Sequence, residues 1–433
     1  MNIEATTLRK ITLRILPILF ISYIVAYLDR VNVAFAAIKM NADLGLSAAA
    51  YGFGAGVFFL SYVLFEIPSN VILEKVGARK WIARIMFTWG LCAGAMAFIS
   101  GEMSFYVVRA LLGAAEAGFF PGVIFFLSRW FPEDYRGRIG SYFMVAIPLS
   151  TVIGAPISGL LLNLDGLGGF KGWQWLFILE ALPALIMAFV VYFWLPDEIE
   201  DAKWLEPEER NWLATRIRTE LKRVATLGHH SVWQALRNPR VLLLGLVCFG
   251  AVITNYGVSF FLPQIVKSFG GLSNIQIGLV SALPYVVGAI GVIIWGRHSD
   301  RTGERRFHTA IPIAVAASCV AVSVLLDDPT LKMIALSIAG FGMFGYLPSF
   351  WSLPATFLSG PALAAGIAAI NSIANIAGFS GPYIIGYARE ATGSFAGGLL
   401  TVAAIGGIAM LIILTMRLDL PASATSMRKQ ATG

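Results

Sequence analysis

Four charged residues interrupt stretches of this sequence that are otherwise apolar. Asp29 and Arg30 lie in the first such stretch, and Arg109 and Glu116 in the fourth. Ionisable groups deep in an apolar helix are costly, and they face the bundle interior or a water-filled cavity. Arg109, Gly113 and Glu116 follow i, i+4, i+7 spacing and so share one helical face, with Arg109 and Glu116 about 10 Å apart along the axis. Asp29 and Arg30 are neighbours, about 100° apart around a helix, and cannot point the same way. The economical arrangement turns Asp29 toward Arg109 and Arg30 toward a cavity, with Tyr27 on Arg30's face at i, i+3. Arg30 is then a permanent cation that can fork onto a carboxylate. Asp29 and Glu116 are titratable, and desolvation favours the neutral form of a carboxylic acid. Two protonatable acids beside an anion-binding arginine predict coupling of protons to an organic anion. The competing reading of Asp29 and Arg109 is an ion pair that only ties two helices together. Glu66 and Glu180 stand nearer the ends of their apolar stretches and are weaker candidates.

The second half of the chain contributes polar groups without charge. Asn371 and Asn375 are one turn apart in one stretch, Asn255 and Ser259 likewise in another, with Tyr256 beside them. Trp351 and Ser352 end a third, and Tyr62 lies in the middle of the second stretch of the first half. Such groups can hydrogen-bond the hydroxyls or a second carboxylate of a small molecule, or join one helix to another.

The elements that hold these residues follow from composition. Of 433 residues, 57% are hydrophobic and 13% charged, against about 45–50% and roughly 25% in soluble domains. This excludes an ordinary soluble enzyme, a disordered protein and a nucleic-acid binder. Twelve stretches approach the roughly 20 apolar residues needed to cross a bilayer. They run about 14–38, 51–73, 82–100, 104–128, 139–163, 174–195, 240–265, 275–296, 307–326, 331–353, 364–388 and 393–417. Met333 to Ala388 has no charge at all and is divided by Pro354 and Ser359-Gly360-Pro361. The segment 196–239, rich in Glu, Lys and Arg, separates the sixth stretch from the seventh. It reads as a solvated linker with an amphipathic helix starting at Glu206-Pro207-Glu208-Glu209. Cys92, Cys248 and Cys319 sit in apolar runs without CxxC spacing, and the histidines form no HExxH pair, so neither metal nor cofactor is expected. The N-terminus lacks a signal-peptide cleavage pattern, so the first stretch is expected to remain.

Counted by loop, 25 Lys and Arg fall on the side of the termini and five on the other, with Arg30 and Arg109 inside helices. That asymmetry predicts cytoplasmic termini and assigns the net charge of +7 to topology. The chain also repeats itself. The loop Asn70 to Lys80, with Glu74, Lys75, Gly77 and Arg79, aligns without a gap on the loop Gly296 to Arg306, with Asp300, Arg301, Gly303 and Arg305, at an offset of 226 residues. The same offset carries Pro156 onto Pro382 and Gly140 onto Gly366. Two such halves suit a carrier that rocks one half against the other around a central site, with these loops as gates.

The two loops resemble the signature of the major facilitator superfamily. Arg109-Ala110-Leu111-Leu112-Gly113-Ala114-Ala115-Glu116-Ala117-Gly118-Phe119-Phe120-Pro121 resembles the fourth-helix signature of its anion:cation symporter family, and Tyr27-Leu28-Asp29-Arg30 and Ile67-Pro68-Ser69-Asn70 fit the same family. The similarity runs from Ile11 to about Arg417. It implies carriers of the kind that take tartrate, phthalate, hydroxyphenylacetate and sugar acids. It implies Asp29 and Glu116 as proton sites, Arg109 as the partner of Asp29, and Arg30 with Tyr27 and Tyr62 as the substrate clamp. The first loop departs from the superfamily in carrying Asn70, Glu74 and Lys75 where Gly, Asp and Arg are usual. Sugar-acid carriers are expected to have an amide near Ile147, and the apolar Met144-Val145-Ala146-Ile147-Pro148 speaks against a polyhydroxylated substrate.

Together these readings predict an all-α integral membrane protein of twelve transmembrane helices in two six-helix halves, 1–195 and 240–433, the latter with a short cytoplasmic tail, joined by the linker 196–239. The expected function is not enzymatic: a proton-coupled symporter in the bacterial inner membrane, working as a monomer in the lipid bilayer and importing a small organic anion, with no nucleic-acid partner. An exporter of drugs or metabolites is the alternative. A channel lacks a filter motif here, and a membrane enzyme or sensor lacks any nucleotide loop, metal cluster or triad.

Overall fold

The computed structural model describes residues 3–226, 237–358 and 360–416. Residues 227–236 of the linker, Ser359 of the divider and the tail beyond 416 lie outside them. The described chain is helical, with no strand. In order the helices are α1 (Ile3–Leu44), α2 (Ala48–Val76), α3 (Ala78–Ala95), α4 (Glu102–Glu116), α5 (Phe119–Trp130), α6 (Glu133–Leu161), α7 (Gly172–Trp194), α8 (Pro207–Thr226), α9 (Pro239–Lys267), α10 (Asn274–Thr302), α11 (Arg306–Leu325), α12 (Pro329–Gly345), α13 (Leu347–Ser352), α14 (Gly360–Thr392) and α15 (Ala396–Thr415). Eleven described stretches are long and apolar enough to span a bilayer. The 33-residue α14 packs among them against α2 and α9.

Two expected spans are not single helices. The fourth breaks between α4 and α5 at Ala117-Gly118, where Gly118 takes a left-handed φ of 86°. A side chain there would also meet the Ser69 hydroxyl, with a Cβ 2.3 Å from Oγ. Pro121 follows in the first turn of α5, where its missing N–H costs nothing. The tenth breaks at Tyr346, between α12 and α13, with Pro348 at the second start. Discontinuous helices of this kind expose backbone groups at mid-membrane only where protein or a cavity surrounds them.

Helices α1, α6 and α7 pack together, α4 packs on α2 and α3, and α9 to α15 pack among themselves. Contacts between the two groups run along α2–α14, α6–α10 and α1–α9. On the side away from the N-terminus these contacts are tight. Lys267 Nζ donates to the Ile38 carbonyl at 2.6 Å, Ala49 N to Glu390 Oε2 at 2.9 Å and Asn274 Nδ2 to Asn163 Oδ1 at 2.9 Å. A Cβ on Gly386 would lie 2.2 Å from the Ala48 carbonyl, so only glycine lets α14 approach α2 this closely. Toward the N-terminal side, the last described side-chain hydrogen bond between the groups is Asn371 Nδ2 to Glu66 Oε1 at 3.1 Å. The bundle is therefore closed on the face opposite the N-terminus.

Helix α8 forms where the Glu-Pro-Glu-Glu start predicted it, but the linker is not simply solvated. Leu213 and Ile217 are buried, and so are Glu209 and Glu220. Lys10 Nζ donates to Glu209 Oε2 at 2.8 Å, and Glu220 Oε2 accepts from Arg136 Nη2 and from the Glu133 backbone N–H, each at 3.1 Å. Trp204 stacks on Trp130 with ring centroids 6.2 Å apart. The amphipathic face that the charges obscured is docked on α1, α5 and α6. Breaking a buried charged hydrogen bond costs about 1–3 kcal/mol. Glu220→Ala therefore lowers the apparent melting temperature of the purified protein, while removal of the exposed Glu208 carboxylate leaves it in place. Equal melting temperatures for the two variants and the wild type would show that α8 is held by its apolar face alone.

The duplicated loops keep their shared geometry. Gly77 and Gly303, 226 residues apart, both have positive φ, 97° and 69°, and close α2 and α10. Arg79 donates from N and Nε to Asp197, at 3.2 and 3.0 Å, and Arg305 Nη1 donates to Asp300 Oδ1 at 2.7 Å. Glu74, Lys75 and Arg301 are exposed beside them. Burial alone would raise the Glu304 carboxyl. The Phe307 N–H and the His308 side chain and N–H outweigh it and hold Glu304 below the usual carboxylate range.

Candidate functional site

Arg30 lies at the centre of the bundle. It is 9% exposed, and its guanidinium carbon is 4.9 Å from the centroid of Tyr27, 5.2 Å from Phe58, 5.4 Å from Tyr62 and 6.0 Å from Phe59. Faces of four rings around one cation replace part of its hydration. Its Nη2 donates to Glu116 Oε1 in a buried ion pair, and Nη1 reaches the Tyr256 hydroxyl at 3.4 Å. Nε of Arg30 and Oε2 of Glu116 have no hydrogen-bond partner among the described residues. The pair thus holds both a donor and an acceptor in reserve.

This differs from the expected pairing. Arg109 does not meet Asp29. Its Nη2 and Nε donate to the Ala55 and Gly54 carbonyls at 3.0 and 3.3 Å, and the guanidinium lies 4.9 Å from the Phe58 ring. Asp29 accepts from Trp89 Nε1 at 2.8 Å. The cause is helix adjacency. α4 packs on α2 and α3, so Arg109 on its upper turns reaches α2 backbone. Only the end of α4, where the Gly118 break stops it, brings Glu116 to α1. Asp29 points away from this centre, toward α3 and α7, while Arg30 points into it. The two acids therefore stand on opposite sides of α1.

A small cavity of about 80 Å³ is walled in part by Tyr27 and Tyr256, the side chains that Arg30 touches. Four residues singled out in the sequence line it: Tyr27, Asn255, Tyr256 and Ser259. Ser259 donates to Asn255 Oδ1 at 3.0 Å. Tyr62 stands behind Arg30. Asn371 instead holds Glu66. Trp351, Ser352 and Asn375 do not line the cavity; Ser352 donates within its own helix to the Pro348 carbonyl at 2.7 Å. The sequence reading missed Thr151, Tyr285 and Tyr346, which give the cavity three further hydroxyl-bearing walls. Thr151 was within reach, since it stands one turn after Ile147, also in the wall. Tyr256 and Arg30 are 226 residues apart, the offset of the internal repeat, a signal of their meeting that the sequence reading did not use. The chemistry on offer is one guanidinium, a ring of hydroxyls and one amide. That set can take a carboxylate at one end and hydroxyls or a second polar group at the other.

The model of the Major Facilitator Superfamily matches residues 19–382. A protein of Agrobacterium vitis named "Putative tartrate transporter" is 50% identical over 420 residues, covering 97% of this chain and 93% of that one. The "Quinolone resistance transporter" of Acinetobacter baumannii is 43% identical over 421 residues, covering 97% of each. Among solved structures, an inward-facing, occupied bacterial homologue of the human lysosomal transporter Spinster superposes with a TM-score of 0.75. It covers 92% of this chain and 95% of that one, at 15% identity, a likeness of fold alone.

Proposed function

We propose that this chain, which belongs to the major facilitator superfamily and is a multi-pass membrane transporter, carries a small organic anion into the bacterial cell together with protons. The observation that carries this reading is the buried pair of Arg30 and Glu116 at the edge of the cavity. A carboxylate substrate and the Glu116 carboxylate compete for the same guanidinium. A proton on Glu116 removes the competitor and leaves Arg30 free to fork onto the substrate. Removing one member of a buried ion pair costs about 3–5 kcal/mol, so neither proton nor anion binds well alone, and joint binding is favoured. That is coupling in thermodynamic terms.

In the resulting cycle the outward-open protein takes a proton on Glu116, and the anion docks on Arg30 against Tyr27 and Tyr256. The cavity's hydroxyls and Asn255 hold the far end. The loaded halves, 1–195 and 240–433, rock about this site and open toward the termini, on the cytoplasmic side of the inner membrane. Glu116 then loses its proton, re-pairs with Arg30 and expels the anion. The Agrobacterium relative's name supports a hydroxylated dicarboxylate such as tartrate, which one arginine and several hydroxyls fit. The Acinetobacter relative supports a second reading, proton-driven export of a drug. Uptake by reconstituted protein under an imposed proton gradient separates the two by direction.

A further inference from the structure

The walls of the central cavity carry no charge. Among the described residues, no Lys, Arg, His, Asp or Glu lines it. The side supplied by residues 240–433 offers Asn255, Tyr256 and Ser259 from α9, Tyr285 from α10 and Tyr346 from the break after α12. All five are neutral groups that both donate and accept hydrogen bonds. That half buries no Lys, Arg, Asp or Glu among its described residues. Its buried His308 stands in the first turn of α11, away from these walls, where it pairs with Glu304 at 2.6 Å.

The cation within reach of the cavity is Arg30, through the Tyr27 and Tyr256 side chains that it touches. Its Nε has no partner among the described residues. Arg109 is also buried in the bundle, but it is only 1% exposed, and its guanidinium is spent on the Gly54 and Ala55 carbonyls. The other buried ionisable groups beside the clamp are acids. Glu116 pairs with Arg30. Glu66, one turn beyond Tyr62 on α2, is buried and accepts from Asn371 Nδ2 at 3.1 Å.

A charge taken from water into a buried site must be paired or neutralised. A proton on Glu116 frees Arg30 to match one carboxylate. A second ionised carboxylate would rest against hydroxyls and an amide with no counter-charge. A neutral carboxyl, amide or hydroxyl in the same place finds both donors and acceptors there. We infer that this carrier takes its substrate as a monoanion, with one carboxylate on Arg30 and an uncharged far end against Asn255 and the tyrosine hydroxyls. A dicarboxylic acid then enters as its hydrogen anion, carrying one proton itself besides the one on Glu116. This rests on the proposed transport of an organic anion and specifies the charge that the site accepts.

The test compares L-tartrate with its monoamide, in which an amide replaces one carboxylate at nearly the same size, and phthalate with its monoamide likewise. Titration calorimetry on the full chain in detergent follows each compound from mildly acidic to mildly alkaline pH. Each monoamide is expected to bind more tightly than its diacid once the diacid is doubly ionised. The ratio of the two Kd values should then change by about tenfold per pH unit, the signature of one linked proton. Both members of a pair feel the proton on Glu116 alike, so the ratio isolates the proton on the substrate. In Glu116→Gln the monoamide should lose its pH dependence, while the diacid keeps the part due to its own second carboxyl. A ratio indifferent to pH, or a diacid that binds more tightly than its monoamide at mildly alkaline pH, would overturn the inference and leave organic-anion transport standing. So would loss of the diacid's pH dependence in Glu116→Gln, since the dianion would then be the bound form. Failure of all four compounds to bind at any pH would overturn the organic-anion reading itself, and the inference with it.

Discussion

Glu116→Gln binds the anion at least as tightly as the wild type and exchanges labelled for unlabelled substrate across the membrane, but does not accumulate it when a proton gradient is imposed. The amide mimics the protonated acid permanently. It no longer competes for Arg30 as a carboxylate, so anion affinity should also lose its dependence on pH. Both assays run on the same reconstituted variant. Wild-type accumulation would remove Glu116 from coupling. Loss of exchange together with accumulation would place it in binding or in the conformational change. The buried pair explains why the effect should be large. The acid's charge is what opposes the substrate, and that opposition is worth about 3–5 kcal/mol in pairs of this kind.

Arg30→Lys weakens carboxylate binding by about 10- to 100-fold. A lysine keeps the charge but loses the planar fork and the fit among Tyr27, Phe58, Phe59 and Tyr62. One charge-assisted hydrogen bond is worth about 1.5–3 kcal/mol, which converts to that range in Kd. Titration calorimetry with L-tartrate checks it, with thermal unfolding to verify that the variant is folded. Unchanged affinity would remove Arg30 as the anchor. The neighbouring Arg109 makes a useful contrast. It is bound to backbone carbonyls of α2 and forms no ion pair among the described residues, so its loss should be felt in stability before affinity.

The sequence was most informative where physics is local. A charge inside an apolar run must face inward, and this alone picked out Asp29, Arg30, Arg109 and Glu116 as buried. Spans followed from hydropathy, and duplication from an offset that needs no structure. Partner choice was not legible, because it depends on which helices are neighbours. Economy of arrangement suggested Asp29 and Arg109, but α4 packs on α2, and the side chains do not meet. The break at Gly118 was announced by a glycine three residues before Pro121, a stop followed by a start. It was read through because the apolar run continued. Glu180 and Glu66 were discounted for lying near the ends of apolar stretches. Helix α2 extends beyond its stretch at both ends, and both acids are buried. The linker misled in the opposite way, since its many charges concealed the apolar face that docks on α1 and α5.

The most direct measurement is L-tartrate movement in proteoliposomes containing only this protein. With the outside made acidic, internal tartrate should rise transiently above the external concentration, and a protonophore should abolish the rise. Tartrate uptake indifferent to the proton gradient, or expulsion of a quinolone driven by the same gradient in place of tartrate entry, would contradict proton-coupled import of an organic anion.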